Sequence, residues 1–255
     1  MAERALTLPS PEQLVIDQTQ VLESFFGHEA LPKPPESLLE FIERTKELGF
    51  SFELYFEPKV TFTDDSNYPG LVVKPHPWLF EQIGKGNVEP DSASLSGQWA
   101  AMEGLQKPEY DDGKQLYEND PLAPVLEQLR IDGKITVPDW CRHIPTISRF
   151  GISPEEIDKY VVPAFSELSG ADKQITAGEL VAGLSPWAAW FYRGNTIHPE
   201  WGQTNTWEWF ANNFGTAHRL IGGRRDDGGL AGVHYRWRDR RRDGIGFRFR
   251  VASSS

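Results

Sequence analysis

Cysteine is almost absent from this 255-residue chain: Cys141 stands alone, so no disulfide can form within it. No stretch approaches the roughly 20 apolar residues that a membrane-crossing helix requires, which leaves no membrane span in the sequence. The opening MAERALTLPSPEQLVIDQTQ lacks the basic-then-apolar pattern of a secretory signal. Together these features point to folding in a reducing cytoplasm. Low-complexity tracts and internal repeats are missing as well. From Arg219 to Ser255 there is neither Lys nor Glu, but 10 Arg against 4 Asp, a net of +6; the preceding chain, with 16 basic and 33 acidic residues, nets −17. A basic end on an acidic body marks either a localised contact surface or a solvated face that pairs with its own body.

What is present is an ordinary globular mixture, 39% hydrophobic and 12% aromatic, enough for one sizeable core or two small ones. The proline-rich LPKPP ends an N-terminal extension at residue 34 and starts an ordered body over 35–255. PESLLEFIERTKELG puts Leu38, Phe41, Ile42, Thr45 and Leu48 on one helical stripe, with Gly49 as its stop. FSFELYFEPKVTF alternates as one or two strands, and the Pro and Gly density from Asp64 to Pro90 predicts loops, with Asp64 and Asp65 in a turn.

A second helix is expected at NDPLAPVLEQLR, capped by Asp120 with Pro121 in its first turn. A third is expected at SPEEIDKYVVPAFSEL, where Ser153 and Glu156 form a capping box ahead of Ile157, Tyr160, Val161 and Phe165, and Pro163 introduces a kink. TAGELVAGLSPWAAWFYRG reads as one or two short apolar helices broken near Ser185 and Pro186. After Gly194 the composition turns to Gly, Asn, Trp and Arg without helical period, as in irregular loops and short strands. Loops of that length need packing by their own large side chains, here Trp201, Trp207, Trp209, Phe210, Phe214, Trp237, Phe247 and Phe249. Of these, Trp237 is flanked by Arg236 and Arg238, a surface context.

Catalytic patterns are weak. Cys141 and His143 are close enough for a nucleophile and base, but no third partner is identifiable. The six histidines are scattered, HPE at His198 is only a fragment, and there is no HExxH. DDG at Asp111 lacks the alternating oxygen ligands of an EF-hand loop, and GIGFR lacks the context of a phosphate loop. No cofactor is implied.

TNTWEWFANNFGTAHRLIGG followed by GLAGVHYRWRDRRRDGIGFRFRV resembles the C-terminal half of the formylglycine-generating-enzyme type of C-type lectin-like fold, in Asn205 to Trp209, Arg219 to Gly223 and Gly246 to Arg248. The enzymes of that family hold copper with a cysteine pair in this half, and no cysteine follows Cys141. The chain is more similar to one branch, the variable proteins of diversity-generating retroelements, to which GQWAAMEGLQKPEYDDGKQLYENDPLAPVLEQLR, ISRFGISPEEI and HPEWGQTNT extend the match from about Gly97. In that branch, error-prone reverse transcription randomises adenines near the 3′ end. Asn codons can then yield Arg, Asp, Gly, His and Tyr, but Lys and Glu are not reachable from the usual one.

The resemblance implies an α+β C-type lectin-like domain, a small twisted sheet with flanking helices and long loops, with a ligand-binding face at 222–250. It also implies that Arg224, Arg225, Asp226, Asp227, Gly232, His234, Arg236, Arg238, Arg240, Arg241, Arg242 and Gly244 are substituted positions on that face. Gly222, Gly223, Gly228, Gly229, Leu230, Ala231, Val233, Trp237 and IGFR are then the fixed frame. If VHYRWRD is extended, its alternation puts His234, Arg236 and Arg238 on one side and Val233, Tyr235 and Trp237 on the other, returning Trp237 to the core.

The implied function is non-catalytic binding of a protein or other ligand, with an acidic one best matched to arginine. Nucleic acid or another polyanion is the alternative partner, opposed by Asp226, Asp227, Asp239 and Asp243 within the patch and by the acidic body. A divergent enzyme of the formylglycine-generating type is the third possibility.

Overall fold

The computed structural model describes residues 10–26, 31–67, 71–137 and 143–253. Among these residues no helix is long and apolar enough to cross a membrane. Within the N-terminal extension, Pro11–Phe26 forms a helix, α1, whose Leu22 is buried in the main core. Nearby, the Trp99 indole N–H donates to the Pro32 carbonyl at 2.8 Å. Helix α2 (Glu36–Glu47) buries Leu38, Phe41, Ile42 and Thr45 as its stripe predicts; Leu48 instead falls just past the helix end and is exposed, where Gly49 turns the chain at φ 90°. FSFELYFEPKVTF is one long strand, β1 (Phe52–Thr61).

The stretch expected to be loop contains helix α3 (Pro77–Gly84), where His76 Nδ1 caps the Trp78 amide and Pro77 opens the first turn. Proline density misleads here because proline at the first helical position costs nothing. Strand β2 (Ser94–Glu103) follows, then α4 (Ala123–Ile131). That helix starts later than expected: Asp120 Oδ1 does accept from the Leu122 amide, but both its oxygens are also held by Arg149.

The capping box forms, with Ser153 Oγ accepting from the Glu156 amide and Glu156 Oε2 from the Ser153 amide. The helix then runs through α5 (Pro154–Glu156), a π-helical turn Ile157–Val161 and α6 (Val162–Leu168). Pro163 has no N–H to donate back, and a wider π-helical turn stands just before it. Helix α7 (Asp172–Thr176) is followed by a correction to the sequence expectation: Leu180–Leu184 is a strand, β3, and only Trp187–Thr196 is a helix, α8. LVAGL is too short an apolar run to declare its period, and a distant strand decides it.

The remaining chain supplies β4 (Trp207–Phe214), β5 (His218–Gly222), β6 (Val233–Trp237), β7 (Ile245–Gly246) and β8 (Phe249–Ser253). One four-stranded antiparallel sheet has the order β1-β2-β8-β3, so the last strand is seated between early and middle ones. Its side chains sort by alternation. Phe52, Leu54, Phe56, Trp99, Ala101, Phe249 and Val251 join one apolar cluster with α2, α4 and α6, whereas Tyr55, Ala100, Met102 and Ala252 join a second with α3 and α8. Both faces are therefore covered, which is why β1 and β2 are buried almost without alternation. The second sheet, β6-β5-β4-β7, takes both of its end strands, β6 and β7, from the basic C-terminal segment. This architecture is mixed α+β with two sheets.

Candidate ligand-binding site

Between β5 and β6 the chain makes a tight double turn of 3-10 helix, Arg225–Asp227 and Gly229–Ala231, laid flat on the core. Gly223 starts it at φ 87°, where a Cβ would sit 2.8 Å from the Trp190 ring. Leu230, Ala231 and Val233 are buried, while Arg225, Asp226 and His234 are exposed and Arg224 and Asp227 half-buried. Gly232 departs from the expected face. It is buried, and a Cβ there would lie 2.1 Å from the Asp227 carbonyl oxygen, so no side chain fits and it belongs to the frame.

Arg224 from this turn, Arg236 from β6, and Arg242 and Gly244 from the β6–β7 loop line one open cleft of about 270 Å³ with Tyr110, Asn205, Trp207, Asp243 and Ile245. Its far wall comes from sequence that carries no local sign of it. The Tyr110 hydroxyl donates to Asp243 Oδ2 at 2.8 Å, and Asn205 Oδ1 accepts from the Tyr110 amide at 2.7 Å. Arg224 leans on Asp226 and Asp227 at 3.6 and 3.4 Å. His234 lies edge-on to Trp207, ring centroids 5.1 Å apart. Burial depresses its imidazole pKa, with Asp227 pulling the other way and Arg236 and His76 adding to the depression.

The other arginines are drawn to the acidic body: Arg225 to Glu109 at 3.0 Å, Arg238 to Glu155 at 2.9 Å and Arg241 to Glu156 at 2.8 Å. Arg248 and Arg250 are buried against Glu208 and Glu57. Arg240 is exposed. Part of the +6 is therefore neutralised by the body, and part borders the cleft.

Trp237 takes the surface place that its arginine neighbours suggest and not the core place that alternation along an extended VHYRWRD gives it. The alternation of β6 is real, but β6 ends its sheet, and only Val233 reaches the core on the Tyr235 side. Tyr235 is 38% and Trp237 54% exposed. Tyr235 stacks on Phe214 at 4.0 Å and Trp237 meets His218 at 4.1 Å, forming an aromatic surface row with Trp78 nearby.

Beneath the cleft two buried charges hold the frame. Glu208, in the WEWF segment, accepts from Arg248 Nε, the Tyr117 hydroxyl and the Trp190 indole. Burial pushes its carboxyl upward, but Arg248 and Lys107 outweigh this and hold it below the usual range. Arg248 also lies 3.6 Å over the Trp201 ring, on which His198 stacks. The HPE fragment serves an ion-pair cluster: His198 bonds Glu53 at 2.7 Å and Glu200 at 2.8 Å, and Arg193 also reaches Glu53. His143 is exposed 4.0 Å from Asp112, and Cys141 lies outside the described residues.

Lys107 donates to the Thr206 and Gly223 carbonyls at 2.9 and 2.7 Å, joining the start of β4 to the turn after β5. Burial lowers its amine to about 7, against the pull of Glu208. A neutral amine keeps two N–H groups, enough for both carbonyls. Since the unfolded chain holds this proton to higher pH, Lys107 makes stability rise between pH about 7 and about 10. Lys107→Met is expected to flatten that rise in denaturant titrations across the window; an unchanged slope would show that the amine is not desolvated.

Of the cleft residues, Tyr110, Asn205, Trp207 and Ile245 carry no sequence signal of a shared site. Asp243 reads in sequence only as an interruption of the basic patch. No protein-family model, curated protein or solved structure matches the chain.

Proposed function

We propose that this chain is a non-catalytic recognition protein that takes an acidic ligand, best a carboxylate-bearing protein surface, at Arg224, Arg236 and Arg242 around Trp207. The observation that carries this is convergence: three guanidinium groups from separate stretches line one cleft beside an aromatic floor, while their neighbours pair with the body. Arginine suits such a role because its planar fork grips carboxylates bidentately and stacks on rings. Asp243 in the lining disfavours a polyanion and favours a ligand that offers donors as well.

The likeness to the variable proteins of diversity-generating retroelements, with their C-type lectin-like fold, is part of the proposal. Exposed or half-exposed 224–227 and 234–244 on a buried frame of Gly222, Gly223, Leu230 to Val233 and Ile245 to Arg248 is the pattern a diversified surface needs. The neighbouring DNA should therefore hold a reverse transcriptase and a near-copy repeat with adenines at the exposed codons but not at Gly232. A repeat that also varies Gly232 and Phe247 would sink the proposal. The quadruple change of Arg224, Arg236, Arg240 and Arg242 to Ser should leave folding intact, each costing within about 0.5 kcal/mol. Tight, sequence-independent DNA binding at about 150 mM salt, lost in that variant, would favour the polyanion alternative.

A further inference from the structure

Strand β6 is the open end of the second sheet, and its ladder shows which of its backbone groups face outward. The bonds from the Gly223 amide to the Gly232 carbonyl and from the Arg238 amide to the Ala217 carbonyl fit the register that pairs His218 with Trp237. In an antiparallel pair, bonded and non-bonded positions alternate, so His234 and Arg236 turn both N–H and C=O toward β5, while at the strand's ends only the Gly232 carbonyl and the Arg238 amide do so, the Gly232 amide donating to the Gly229 carbonyl and the Arg238 carbonyl accepting from the Glu155 amide. Val233, Tyr235 and Trp237 therefore turn theirs to the free edge. The Tyr235 carbonyl accepts from its neighbour Arg236 and the Trp237 carbonyl from the Arg240 amide. The outward N–H groups of Val233, Tyr235 and Trp237 have no partner among the described residues.

We propose that β6 is a strand-addition site for an extended segment of a partner protein in which acidic and apolar residues alternate. This rests on the recognition role proposed above and specifies its ligand. Side chains of a strand laid along β6 would alternate between two chemically different faces. On one face Arg236 opens toward Arg224 and Arg242, with Arg238 next along the strand; on the other stand Tyr235 and Trp237, backed by Phe214 and His218. Carboxylates on the first side and apolar side chains on the second satisfy both, and Arg236 would exchange its neighbour's carbonyl for a carboxylate. A second copy of β6 fits poorly, since antiparallel self-pairing would bring the Arg236 and Arg238 of both copies together, and edge charges of one sign oppose such pairing. Main-chain bonds would supply affinity and the alternating side chains specificity.

The test uses the full chain and an end-capped peptide in which Glu and Val alternate, with amide exchange followed by NMR. Binding should slow exchange at Tyr235 and Trp237 at least about tenfold, whereas a peptide of equal composition with its Glu and Val in separate blocks should not bind. N-methylation of alternate peptide amides should weaken binding about tenfold, what one or two net hydrogen bonds contribute. No binding of the alternating peptide, or equal binding of the N-methylated one, overturns strand addition. If such binding still falls when Arg224, Arg236 and Arg242 become Ser, with the thermal midpoint unchanged, the recognition face stands without the strand. Binding indifferent to those arginines overturns both. Protection at Tyr235 that grows with protein concentration and no peptide would make a second copy the occupant and overturn the assignment.

Discussion

Replacing Arg149 with Met is expected to destabilise the protein by about 3–5 kcal/mol, a large fraction of what holds a domain folded. Arg149 is buried, and its two terminal nitrogens reach Glu103 at 2.6 and 2.8 Å and Asp120 at 2.7 Å. Burial alone would drive the guanidinium toward neutrality, but Asp120 and Glu103 overcome it and raise its pKa. Methionine fills the same space and leaves two carboxylates with almost no water, one of them also accepting from the Phe249 amide. Urea unfolding should show a lower midpoint with an unchanged slope. Changing Glu103 to Gln and Asp120 to Asn alongside Arg149→Met should recover part of the loss. A single variant within about 1 kcal/mol of the parent would mean that water reaches these carboxylates.

Phe247→Ala should cost a similar amount, about 3–5 kcal/mol, because the ring is fully buried and the cavity left behind cannot collapse. It packs on Phe249 at 5.4 Å and lies under the Arg149 guanidinium, so truncation loosens the strand closing the first sheet and the wall of the buried ion pair together. Trp237→Ala is the control, with an expected cost near the surface norm of about 0.5 kcal/mol since half of that larger ring is already in water. Equal losses at the two positions in a denaturant titration would contradict the edge placement of β6.

Elements whose stabilising partners lie within a few residues were legible. The stripe of α2 and the capping box at Ser153 follow from patterns one to four residues apart, and the loop-and-strand character after Gly194 from local composition. The burial of WEWF and GFR was legible too, because large rings in irregular sequence have few places to go except the core. Helix α3 and strand β3 differ from what their local sequence suggests. In α3 the one proline, Pro77, sits at the first turn where a helix accepts it, and β3 is a strand because β8 lies beside it, 65 or more residues away along the chain.

Within residues 222–250, the sequence by itself determined that arginine is concentrated there and interleaved with glycine and apolar residues. Only the tertiary structure decided which arginines border the cleft. Arg224, Arg236 and Arg242 reach it, whereas Arg225, Arg238 and Arg241 meet carboxylates of distant elements, and nothing in RRDD or RWRDRRRD separates the two groups. Likewise, alternation specified which β6 residues share a side, but whether that side meets core or solvent depends on the strand's place in the sheet. At the end of β6-β5-β4-β7 no further strand among the described residues flanks Trp237, and at Gly232 the returning Asp227 carbonyl leaves no room for a side chain. Steric room and charge partners are set by chain segments far apart in sequence, and a local pattern carries no information about them.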